Sequence, residues 1–299
     1  MTNAIKGHAA MLGANVFWGL MAPVVKLVLA SGVVVPLLMV DFRVVGAAAL
    51  FWVASMMVPR QHVPVRDKLL MAGAGMLGIL LNQGCYIVGL SFTSPGEASL
   101  VTTTIPMWVM ILAWLILREP ITARKTGGIA LGAAGAVILI LGNGTAVAGG
   151  KSPALGDVIV MMAQLSYALY LTLYRNFIRR YSLVTMMKWM FLSAAVVAVP
   201  LTYRSIEATR WEMITGPEWA GIGYVVLCAT FLAYIFIMIG QKSLRPTLVG
   251  MYNYVQPVVA TAAGVYLGLD TFSVCKGVAV IMIFSGVYMV TTSRSKQID

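Results

Sequence analysis

Charge is scarce in this 299-residue chain: ten Asp and Glu with 21 Lys and Arg make up 10% of the sequence, where a soluble domain carries about 25%. A soluble surface cannot be built from so little charge. Histidine is scarcer still, with only His8 and His62. Neither HExxH nor GxSxG occurs, nor any acidic cluster that would hold a metal. No catalytic residue, metal or cofactor is therefore expected, and the chain is not expected to be an enzyme. Cys85, Cys228 and Cys275 lie in or beside apolar runs without CxxC spacing, which makes them packing residues. The period-two alternation over about 10 residues that a membrane strand needs is also missing, which excludes a barrel.

What fills the chain instead is apolar: 60% hydrophobic residues and a mean hydropathy of +0.89. Apolar runs of about 20 residues recur, each long enough to cross roughly 30 Å of hydrocarbon as a helix. Ten are drawn, at about 7–30, 34–57, 69–90, 94–117, 124–142, 154–177, 183–203, 217–240, 246–268 and 273–292, with ends good to a few residues. The first is too long for a signal peptide and lacks a small-residue cleavage signature. Most connections are under about ten residues, which leaves no room for an extramembrane domain. The expected fold is an all-α membrane protein of ten transmembrane helices.

The net charge of +11 does not imply nucleic acid in such a chain, because Lys and Arg hold loops on the cytoplasmic side. With both termini inside, fifteen of the 21 basic residues fall on the inner side. Lys26, Lys151, Arg204, Arg210 and Lys276 fall outside, and Arg43 lies within a span. A multi-pass protein of the cell inner membrane with cytoplasmic termini is expected.

The sequence also repeats itself. An offset of about 151 brings Pro95 onto Pro246, Pro106 onto Pro257, Glu119 onto Asp270, Lys125 onto Lys276 and Gly135 onto Gly286. At about 149, Gly7 meets Gly156, Asn15 meets Gln164, Trp18 meets Tyr167 and Lys26 meets Arg175. The repeat therefore divides the chain into residues 1–142, a connecting loop at 143–153 and residues 154–299. Five spans per half is an odd number, so the second half enters the membrane from the opposite side, as inverted repeats do. Two inverted five-helix repeats can alternate around a site near the midplane.

Polar residues inside the spans are the candidates for lining that site, since their burial needs a partner, water or a solute. Asn15 and Trp18 share a face of the first span, Asn82 and Tyr86 of the third, and Thr104 and Trp108 of the fourth. The sixth span offers Tyr167 and Tyr170, the eighth Tyr234, and the ninth Tyr252, Asn253 and Gln256. Together they would form an aromatic, amide-rich cavity for a small amphipathic solute. Each has a structural alternative in interhelical packing or the membrane interface.

Asp41, Arg43 and Glu97 are charged within spans. They read either as a local ion pair or outer-mouth positions, or, for Asp41 and Glu97, as groups that take up a proton or meet a cationic part of the solute. Lys26 can snorkel to the surface. Pro106 and Pro257 would each remove one mid-helix hydrogen bond and kink the helix. Gly127, Gly128, Gly132 and Gly135 make a small-residue surface for close helix approach. Glu119 and Asp270 are expected to act at turns, near the N-terminal dipole of the following helix.

Trp18-Gly19 with Lys26, Arg43 in the second span, Pro106 followed by Glu119 and Thr122, and the second copy with Pro257 resemble the EamA-type transporters of the drug/metabolite transporter superfamily. The resemblance covers the whole chain. It implies an inner-membrane carrier with a central cavity between two inverted halves, exporting amino acids, metabolites or drugs. Asp270 is shorter than the family's usual Glu, and Glu97 is not a family-wide position. The function expected is transport of small organic metabolites, amino acids or related solutes, with protons as a possible coupling ion. A nucleotide-sugar or drug carrier of the same superfamily is the alternative, and a membrane-embedded enzyme is disfavoured. Glu97→Gln is expected to impair pH-dependent transport in proteoliposomes; an unchanged rate and pH response would remove Glu97 from the coupling scheme.

Overall fold

The computed structural model describes residues 2–29, 31–90, 92, 101–142, 153–266 and 273–293. Every regular element among them is helical. In chain order the segments are α1 (Thr2–Leu29), α2 (Pro36–Met56), α3 (Val65–Gly75, Met76–Leu81, Asn82–Leu90), α4 (Ile105–Leu117), α5 (Ala123–Gly142) and α6 (Pro153–Leu173). They continue as α7 (Leu183–Glu207), α8 (Gly216–Val226, Leu227–Leu232, Ala233–Ser243), α9 (Pro246–Met251, Tyr252–Tyr254, Val255–Tyr266) and α10 (Val274–Thr291). A one-turn helix, Arg175–Ile178, follows α6. Among the described residues, six segments, α2, α3, α6, α7, α8 and α10, are long and apolar enough to cross a membrane, and α4 is a shorter apolar helix. Their outward faces carry Val53, Leu115, Val196 and Ile281, an apolar exterior that marks contact with lipid.

The repeat is written into the backbone. α3 and α8 each widen into a π turn, Met76–Leu81 and Leu227–Leu232, which coincide under the offset of about 151. The chain also departs from regular helix at Thr103 and Thr104 before α4, and at Tyr252–Tyr254 within α9. These two breaks correspond as well. Pro106 and Pro257 are not mid-helix kinks. Each stands in the first turn of the segment that restarts after the break, where a missing N–H deprives no helical bond.

The two halves interlock. α1 lies against α8 and α9, and its counterpart α6 lies against α3 and α4; α2 pairs with α7, and α5 with α10. The α5–α10 contact needs glycine. A Cβ on Gly128 would stand 2.8 Å from the Gly286 carbonyl oxygen, and one on Gly286 2.5 Å from that of Gly128, so any side chain would push the helices apart.

At one end of the molecule, where α4, α6 and α8 finish and α5, α7 and α9 begin, Glu119 organises a buried ionic cluster. Its Oε1 accepts from Arg175 Nη1 at 3.1 Å, and its Oε2 from Lys125 Nζ at 3.2 Å and Thr247 Oγ1 at 3.3 Å. Lys125 Nζ also donates to the Pro120 carbonyl at 3.0 Å. The side chains of Lys125, Glu119 and Arg175 are only 1%, 6% and 8% exposed. This corrects the expectation for Glu119: its carboxylate serves two full cations, which outweigh the roughly half charge of a helix end. Burial holds the Arg175 guanidinium below its ordinary value, against the opposing effect of the Glu119 carboxylate.

The cluster ties the α4–α5 turn of the first half to the end of α6 and the start of α9 in the second. At the opposite end, the Ser31 hydroxyl donates to Glu218 at the start of α8. Asp270, the counterpart of Glu119, lies outside the described residues. Glu119→Ala would leave two cations buried without their anion, and a loss of about 3–5 kcal/mol is expected. Thermal unfolding in detergent checks this; an unchanged melting temperature would show that the cluster contributes nothing to stability.

Candidate functional site

Gln83 on α3 and Tyr234 on α8 occupy equivalent places in the two repeats, and they touch. Gln83 Nε2 donates to the Tyr234 hydroxyl at 2.9 Å across a sequence separation of 151. Both are buried. Two equivalent residues in contact mark a place where the two repeats meet. A second such contact lies towards α9, where the Tyr254 hydroxyl donates to the carbonyl of its equivalent, Thr103, at 3.0 Å. Trp18 meets the Tyr234 ring edge-on with centroids 6.0 Å apart, and Tyr167, the repeat partner of Trp18, lies within electrostatic reach of Tyr234.

The π turns position this centre. A π turn shifts the hydrogen-bond register and releases carbonyls, which inside a membrane protein must find other donors. In α8 the Ala229 carbonyl accepts from Trp18 Nε1 at 2.9 Å. In α3 the Leu77 carbonyl accepts from Ser166 Oγ at 2.7 Å. Thr230, within the α8 π turn, donates to the Val225 carbonyl at 2.8 Å and accepts from Arg43 Nε at 3.0 Å. Each π turn is thus satisfied by the first helix of the other half.

Two further polar groups adjoin the centre. Between α1 and α9, Gln256 Nε2 donates to Asn15 Oδ1 and to Asn253 Oδ1, both at 2.9 Å. Asn15 and Asn253 donate in turn to the Met11 and Gly250 carbonyls, and His8 Nδ1 shares a 2.7 Å hydrogen bond with the Tyr252 hydroxyl. Between α6 and α8, the Tyr170 hydroxyl donates to Gln241 Oε1 at 2.9 Å. Tyr167, Tyr170 and Tyr174 form a ladder along α6, with successive centroids 6.0 and 6.2 Å apart.

The remaining expected residues are placed differently. Asn82 donates to the Ala163 carbonyl at 3.0 Å and joins α3 to α6. Thr104 donates locally to the Val101 carbonyl at 2.7 Å. Trp108 is half-buried with an indole N–H that has no partner among the described residues, and Tyr86 is half-buried on α3. Asp41 and Arg43 form no ion pair, which corrects that reading. Two residues apart on a helix, they point to different faces. Asp41 lies near Thr202 of α7, whose hydroxyl is turned to the Ala198 carbonyl, while Arg43 reaches α8. Glu97 lies outside the described residues, as does the Lys26 side chain.

Gln83, Gln241 and Thr230 carry more of this network than their sequence context suggested. The offset that aligned the prolines would have flagged Gln83, since it sets Gln83 opposite Tyr234. Gln83 Oε1 and the Tyr167 hydroxyl at the centre, and Gln241 Nε2 beside Tyr170, have no hydrogen-bond partner among the described residues; nor do the Asp41 oxygens, which lie away from it near Thr202. Unsatisfied amide and hydroxyl groups at an aromatic centre suit an amphipathic guest that brings its own donors and acceptors. A double-mutant cycle of Gln83→Leu and Tyr234→Phe should give a coupling energy of about 0.5–3 kcal/mol in detergent unfolding; strict additivity would remove the bond from the centre.

The sequence model of the EamA-like transporter family matches residues 5–141 and 154–292. Among curated proteins, the chain is 26% identical to the uncharacterized inner membrane transporter YedA of Escherichia coli, over 95% of this chain and 90% of that one. It is 21% identical to the uncharacterized transporter YetK of Bacillus subtilis, over 78% and 71%. It is 25% identical to the protein PecM of Dickeya dadantii, over 70% of each. A solved crystal structure superposes with a TM-score of 0.78 at 21% identity, covering 97% of this chain and 96% of that one, a likeness of fold.

Proposed function

The chain belongs to the EamA-like transporter family, and from that premise we propose that it carries small amphipathic organic metabolites, amino acids or related solutes, outward across the inner membrane. The observation that supports this reading best is the Gln83–Tyr234 centre, flanked by Trp18 and Tyr167 and holding polar atoms without partners. Aromatic faces take the apolar part of a solute, and the unpaired amide and hydroxyl groups take its polar part. In this proposal ten helices span the membrane as two inverted repeats, with 1–142 and 154–299 as the two units. Asn15, Tyr252, Asn253 and Gln256 line the approach along α1 and α9.

The inverted halves exchange conformations around this centre, opening one end as the other closes. Opening at the end that holds Glu119 requires it to release Arg175 or Thr247, because those bonds join the halves. Proteoliposome counterflow tests the reading. Vesicles preloaded with unlabelled amino acids should accumulate the matching labelled solute without a gradient, and Tyr234→Ala should reduce the rate about tenfold or more by removing the central ring. Absence of counterflow across amino acids and related metabolites would overturn the substrate assignment.

A further inference from the structure

Arg43 is a permanent cation in the third turn of α2, only 8% exposed. Such a charge normally meets a carboxylate, since an uncompensated buried charge costs several kcal/mol. Arg43 has none. Its hydrogen bonding runs through Nε alone, to Thr230 Oγ1. Among the described residues neither Nη donates to any group. Asp41, two residues earlier, looks towards Thr202, and Glu119 is taken up by Lys125 and Arg175. The charge also breaks the symmetry of the repeat: an offset of about 150 lands among Leu192, Ser193 and Ala194, none of which is charged.

The surroundings define what would fit. Thr230 fixes the guanidinium by Nε, so the outer edge of the fork is presented already oriented. Trp18 bonds to Ala229, the neighbour of Thr230, and Tyr234 stands within electrostatic reach of Arg43. A planar fork with four unused N–H donors matches a carboxylate, which it can hold through two parallel bonds. We propose that Arg43 is the anchor for a carboxylate group of the transported solute, whose apolar part lies against Trp18 and Tyr234. Gln83, whose amide is bonded to Tyr234 and whose Oε1 is an acceptor without a donor among the described residues, suits the ammonium of an α-amino acid. The inference rests on the carrier reading and narrows its substrate to solutes bearing a carboxylate.

The test compares acids with their amides on the purified full chain in detergent. Binding of phenylacetate and phenylacetamide, and of L-leucine and L-leucinamide, is followed by intrinsic tryptophan fluorescence and thermal shift. The acid of each pair should bind the wild type about tenfold or more tightly than its amide, as a charge-assisted pair requires. Arg43→Gln should abolish that preference, and Arg43→Lys, which keeps the charge without the fork, should retain part of it. Equal affinity of acid and amide for the wild type, no binding of any acid at millimolar concentration, or a folded Arg43→Gln that still prefers acids would each overturn the anchor. If Arg43→Gln does not survive purification, the wild-type comparison decides alone. Counterflow separates the two readings. Transport of neutral solutes with no acid preference keeps the carrier and removes the anchor, whereas an Arg43-dependent acid preference without counterflow keeps the anchor and removes the carrier.

Discussion

A backbone carbonyl inside hydrocarbon cannot turn to water, so wherever a membrane helix gives up its regular hydrogen bonds some other group must supply the donor. This chain gives them up at two matched places, the π turns of α3 and α8. The donors come from the opposite half, Ser166 for Leu77 and Trp18 for Ala229. The requirement that would isolate each helix thereby binds the halves to each other. It also fixes Trp18 beside Tyr234 and Thr230 beside Arg43, so the composition of the centre follows from an irregularity of the backbone.

The two buried charge systems show how differently the same constraint is met. Glu119 is saturated, with both oxygens engaged by side chains from three parts of the chain. Arg43 is held at one nitrogen and idle at two. A saturated cluster stabilises one arrangement of the halves and resists change. A charge with unused donors is stabilised further only by something that arrives.

The architecture was legible from the chain because lipid simplifies the code: apolar runs give helices, and prolines, glycines and paired ionisable residues at one offset give the duplication. The breaks were less legible. A π turn leaves no compositional mark in MLGILL or LCATFL, and without it neither the reach of Trp18 to Ala229 nor that of Arg43 to Thr230 could be foreseen. The helical-face argument puts Asn82 with Tyr86 but could not foresee that its amide joins α3 to the Ala163 carbonyl. The turn reading of Glu119 did not reach its partners Arg175 and Thr247, which lie 56 and 128 positions away. Pro106 was placed correctly in the chain and misread in role, since only the irregular residues before it show that a helix starts there.

The Gln83–Tyr234 contact also bears on how such a centre could arise. In an assembly of two identical halves that met as these repeats do, whatever residue stood at this position would face its own copy. A tyrosine would meet a tyrosine and a glutamine a glutamine, and every substitution would be made twice. Joining the halves in one chain ends that obligation. Donor and acceptor can then be assigned to different sides, as Gln83 and Tyr234 are, and a single arginine can be placed on one side only.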